Sequence, residues 1–127
     1  MSRSILFTIW RCLAVAAIVA ASAVIAFADL TDWPIMANDK LLHFAAFAAM
    51  TLLAASAFPE IRLLHLLVAL AVLGGIIELL QFTSNRQPDW ADFGANVLGI
   101  DVALLVVLVA RFLFNRATAA PATSGAD

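Results

Sequence analysis

Apolar residues in this chain neither alternate nor form a narrow stripe. They run for long stretches with few interruptions, and most polar residues fall near the ends of those stretches. Four such runs occupy residues 5–27, 41–58, 63–82 and 93–114. A helix needs roughly 20 mostly apolar residues to cross a bilayer core, with a usual range of about 17 to 25. Each run therefore predicts a membrane-spanning helix. Pro34 separates the first two, Pro59-Glu60-Ile61-Arg62 makes a tight turn between the second and third, and Pro88 interrupts the chain before the fourth. The predicted fold class is all-α: a polytopic transmembrane bundle of four helices forming one domain over residues 1–116. The tail, 117–127, is rich in Ala, Thr, Pro, Ser and Gly. It has nothing to bury, which predicts disorder.

Composition strengthens this reading. Hydrophobic residues make up 65% of the chain and charged residues 13%, against about half and a quarter in soluble domains. The mean hydropathy is +1.03, so much of the surface needs lipid. A net charge of −2 offers no basic patch for nucleic acid. The lone Cys12 excludes a disulfide framework and a cysteine zinc site, and reads as a small inert hydrophobe. No cofactor motif, metal-ligand spacing or nucleophilic serine motif stands out, so no cofactor or metal is expected.

The first run has a competing reading, because Arg3, the apolar stretch 12–25 and the triplet Ala26-Phe27-Ala28 mimic a cleavable signal peptide. The length of the run after Arg11 favours a retained span. Cytoplasmic loops carry an excess of Lys and Arg. With both termini cytoplasmic, Arg3, Arg11, Arg62, Arg111 and Arg116 lie inside, and only Lys40 and Arg86 lie outside. That orientation puts Trp33 and Trp90 in the outer loops and Trp10 near the inner face. The repeated pairs Asp32-Trp33 and Asp89-Trp90 are too short to establish two similar hairpins.

With this orientation, the unusual polar residues gather at the outer end. Asp39, Lys40 and His43 fall within the first turns of the second helix, where spacings of three and four share a face. Glu78 and Gln81 end the third span, with Gly74 and Gly75 one turn below, where small residues allow close helix approach. Arg86, Asp89, Asp92 and Asn96 open the fourth, followed by Gly99, and Asp92, Asn96, Gly99 and Ala103 form one stripe. A charge at mid-bilayer costs about 2.5 to 3.5 kcal/mol on insertion scales, so such residues usually face the bundle interior and pair. Lys40 and Arg86 are the natural partners of Asp39, Glu78, Asp89 and Asp92. Taken singly, Asp39, Asp89 and Asp92 also read as helix caps, and His43 as a satisfied histidine. His65, at the inner interface, has no assigned role. Asp101 does not fit the stripe. It lies nine residues after Asp92, on roughly the opposite face, which leaves a protonated acid, a pair with another helix, or a contact between copies of the chain.

The ordered set Asp39-Lys40-Leu41-Leu42-His43-Phe44 with Phe47, then Glu78-Leu79-Leu80-Gln81, then Arg86 to Asp92, and Asn96-Val97-Leu98-Gly99 resembles the VanZ-like family of small bacterial membrane proteins. The resemblance covers roughly residues 39–99. It implies a multi-pass envelope protein, and the founding member is associated with low-level resistance to the glycopeptide teicoplanin. The family pattern falls on Asp39, Lys40, His43, Phe44, Glu78, Gln81, Arg86, Asp92, Asn96 and Gly99. The chain departs from it at Ala103, where a second glycine is often expected, and at the acid Asp101.

Two functions follow as expectations. In the first, the outer cluster is a pocket for an amphiphilic or lipid-linked ligand, with charges at headgroup level and an apolar bundle below. If it also performs chemistry, His43 or Glu78 is the candidate base, and Lys40 or Arg86 would hold an anionic headgroup. In the second, a non-enzymatic assembly or partner-binding protein uses the cluster as a lock between helices. Ion or proton transport ranks below both, because only Asp101 lies beneath the outer layer.

Overall fold

The computed structural model describes residues 2–28, 39–83 and 89–119. Four helices account for nearly all of them: α1 (Arg3–Phe27), α2 (Asp39–Ala57), α3 (Leu63–Thr83) and α4 (Trp90–Ala119). All four are long and apolar enough to cross a membrane. At a rise of about 1.5 Å per residue, even the shortest is close to the ~30 Å bilayer core.

The sequence boundaries hold at α1, α2 and α3 to within two residues, whereas α4 is longer at both ends. At its start, Asp89 supplies a cap. Its side chain accepts from the Ala91 amide at 2.8 Å, and its carbonyl accepts from the Asp92 and Phe93 amides. At its end the helix continues to Ala119, three residues into the stretch that composition marks as tail. Alanine is the best helix former, and Arg116 in the last turn suits the negative end of the helix dipole. Residues 120–127, Asp32, Trp33 and Arg86 lie outside the described residues.

Side-chain contacts fix the directions. Lys40 of α2 meets Asp92 of α4, so these helices share an N-terminal end, while Gln81 of α3 meets Ile25 of α1, so those two end at the same level. Neighbours in sequence are therefore antiparallel, as the short connections predicted. The α2–α4 seam is the most extensive contact, and α1 packs on α2 and α3 without reaching α4 among the described residues.

The buried positions reveal why. On α2 they include His43, Phe47, Met50, Ala54 and Ala57, and on α4 Asp92, Asn96, Gly99 and Ala103. Steps of four and three keep one side of each helix turned to its partner. On α3, Leu66, Leu70, Gly74, Ile77 and Gln81 do the same. Lipid is as apolar as leucine, so burial alone does not drive such helices together. Close packing and polar contacts must do it. Gly99 is the tightest point: a Cβ there would collide with the Phe44 carbonyl oxygen and lie 3.1 Å from the Ala48 nitrogen. Phe47, Ile77 and Ile100 fill the core beneath.

A candidate polar site at one end of the bundle

The shared N-terminal end of α2 and α4 carries the cluster. His43, one turn into α2, is completely buried. Its Nδ1 lies 2.9 Å from Asn96 Oδ1. An amide oxygen can only accept, so Nδ1 donates in this contact, and in the neutral ring Nε2 then keeps its lone pair. Nε2 makes no hydrogen bond among the described residues and lies 3.8 Å from Asp39 Oδ1. Glu78 reaches in from α3, with Oε1 3.7 Å from His43 Nδ1. Neither Glu78 oxygen has a hydrogen-bond partner there, and nor does Asn96 Nδ2. Each such orphan costs about 1 to 3 kcal/mol, so their gathering at one point marks it as unlike the rest of the seam.

Lys40 closes the exposed side of the cluster. Its Nζ donates to Asp89 at 2.9 Å and to Asp92 at 3.3 Å, tying α2 to the start of α4. Lys40 and Asp89 are about half exposed, but the Asp92 side chain is only 8% exposed. Asp89 is held below the usual carboxylate range, first by the Ala91 amide and then by Lys40. The positive ends of the α2 and α4 dipoles also favour the acids here. The caps read singly for these residues are thus present at Asp89, and the same residue also joins the inter-helix network.

Among the described residues at this end, four carboxyl groups (Asp39, Glu78, Asp89 and Asp92) face the single cation Lys40. One ring nitrogen of His43 and one carboxylate oxygen from each of Asp39 and Asp92 lie within 4.8 Å of one another. Spacing along the chain could not reveal this trio, because Asp92 comes from a different helix. Beside the cluster, a groove of about 690 Å³ opens between α3 and α4, walled by Val72, Gly75, Ile76, Leu79, Trp90 and Phe93, with Glu78 and Asp89 at its polar end.

Other sequence candidates sit elsewhere. Gln81 is buried but donates to the Ile25 carbonyl at 2.9 Å, so it pins α1 rather than joining His43. Gly74 is a close approach, 3.2 Å from Asn96 Nδ2 to an added Cβ. Gly75 is not: an added Cβ would meet only Phe93, at 3.9 Å, because this glycine faces the groove. Asp101 lies on the exposed side of α4, as does Cys12 on α1.

One organising residue was counted only for its charge. At the opposite end Arg11 donates to the Ala57 carbonyl at 3.1 Å, pairs with Glu60, and stacks over Phe7 and Phe58. It clamps α1 to the α2–α3 turn. Glu60 is thus part of this clamp, with a side chain 54% exposed.

Fold and site together define a class: a small four-helix protein built for a membrane, with a buried polar cluster at one end of its central helix pair. No family model, curated protein or solved structure matches the chain.

Proposed function

We propose that the chain is a VanZ-like protein of the bacterial cell envelope, with both termini cytoplasmic, whose outer polar cluster receives the head of an amphiphile. The observation that carries this reading is the groove between α3 and α4. Its apolar walls suit an acyl tail, and Glu78 and Asp89 meet the tail's polar end. Lipid-linked intermediates of the envelope and lipid-tailed glycopeptides such as teicoplanin share that chemistry. The test is expression in a glycopeptide-sensitive host. The wild type protects, and Glu78→Gln, purified as a folded helical protein, protects less than a tenth as well. Equal protection by the two overturns the reading.

A structural lock is the second reading, favoured by the buried His43–Asn96 contact. In that case Glu78→Gln changes thermal stability, and protection falls only in proportion to the protein that folds.

A further inference from the structure

We propose that His43, Asp39 and Asp92 bind a divalent transition-metal ion of the zinc class at the polar end of the bundle. The inference deepens the proposed function, since it uses the same cluster, but the metal is read without any amphiphile.

The donor set comes first. One ring nitrogen of His43 and one oxygen from each of Asp39 and Asp92 provide one imidazole and two carboxylates, all within 4.8 Å of one another, and on the Asp39 side Nε2 is the near nitrogen, at 3.8 Å. Ligands about 2.0 to 2.1 Å from a tetrahedral ion stand roughly 3.4 Å apart. The Nε2–Asp39 separation of 3.8 Å thus needs a closure of a few tenths of an ångström. Three protein ligands leave a position for water or a ligand oxygen, the pattern of an open rather than a structural zinc site.

An independent observation points the same way. Acids clustered at helix ends are common without metal, but His43 is completely buried and its Nε2 has no hydrogen-bond partner among the described residues. The other nitrogen donates to Asn96 Oδ1 at 2.9 Å. A metal-bound histidine characteristically donates its second N–H to an oxygen, which fixes tautomer and ring angle. The structure holds His43 in that arrangement, with Nε2 turned toward Asp39.

Lys40 is the competitor at Asp92. It bonds one oxygen of Asp92, at 3.3 Å, and makes no bond to the other among the described residues. Its side chain is 53% exposed, so it can swing onto Asp89 alone. Charge also favours a cation, because the excess of carboxyl groups among the described residues repels an anionic headgroup. A bound divalent ion reverses that local preference and lets the cluster accept a phosphate or carboxylate head.

The experiment uses the full chain purified in detergent, stripped with chelator and then given zinc alone. Metal content is measured after desalting, affinity by competition with a chromogenic chelator, and coordination by X-ray absorption. The expected result is one zinc per chain, bound through nitrogen and oxygen with an imidazole signature. Asp39→Asn and His43→Gln should each weaken binding at least tenfold, and Lys40→Gln should bind as tightly as wild type or tighter. If His43→Gln fails to fold, Asp39→Asn still decides, because its side chain is 43% exposed. Substoichiometric zinc in the wild type, or unchanged affinity in folded Asp39→Asn, overturns the proposal. Glycopeptide protection by a wild type that binds no zinc leaves the amphiphile reading standing while the metal site falls. Zinc bound in a chain that gives no protection supports the site and removes the amphiphile reading alone.

Discussion

Replacing Gly99 with alanine adds one methyl group where α2 and α4 touch. The new Cβ would overlap the Phe44 carbonyl oxygen and stand 3.1 Å from both the Phe44 carbonyl carbon and the Ala48 nitrogen. All three are backbone atoms, so no rotamer change relieves the clash and the helices must part. Overpacking of this kind costs about 1 to 3 kcal/mol, against which the better helix propensity of alanine returns about 1 kcal/mol. The strain also reaches the site, because Asn96 lies one turn away and must hold His43 across the same seam. Gly94→Ala is the internal control, since an added Cβ there meets nothing within 4 Å. Reversible unfolding in mixed micelles should find Gly99→Ala less stable than Gly94→Ala by about 1 to 3 kcal/mol. Equal stability of the two variants refutes the close approach of α2 and α4.

Gln81→Leu removes the side-chain tie between α3 and α1 and should cost about 1 kcal/mol in the same unfolding assay, while leaving zinc affinity unchanged. Glu60→Gln, at the opposite end, should alter stability by no more than about 1 kcal/mol, as exposed pairs do. Arg11→Met should be the more damaging of the two, because it also removes the bond to Ala57 and both ring contacts. Asp101→Leu should not destabilise the monomer, since the acid points away from the bundle; a loss of stability would assign it a contact between chains.

The helices and their polar end were legible because the signals were local. Runs of apolar residues set four spans, and short connections made neighbours antiparallel, which brings the start of α2, the end of α3 and the start of α4 to one level. Spacings of four and three then gave the α4 stripe, from Asp92 through Ala103. Choosing the inward face of α3 was harder. That helix is apolar nearly all round, so the sequence does not say which side turns inward. Gly74 and Gly75 read alike along the chain, yet one presses on Asn96 and the other opens onto the groove. Gln81 shares a helix end with Glu78, but its partner on α1 could be found only once the helices were packed. The role of Arg11 depends on Ala57 and Glu60, more than forty positions away, and the grouping of Asp39 and His43 with Asp92 likewise needs the fold. Local pattern placed these residues at an end of the bundle; packing determined their partners.

That the cluster acts as one unit across helices is tested most directly by a double-mutant cycle on His43→Leu and Asn96→Leu. Each change alone orphans a buried partner and should destabilise the protein by about 1 to 3 kcal/mol. The double variant removes both groups, so its loss should be smaller than the sum by about 0.5 to 3 kcal/mol, the range found for residues in contact. Losses that add to within about 0.3 to 0.5 kcal/mol, as for independent sites, would contradict a coupled site joining α2 to α4.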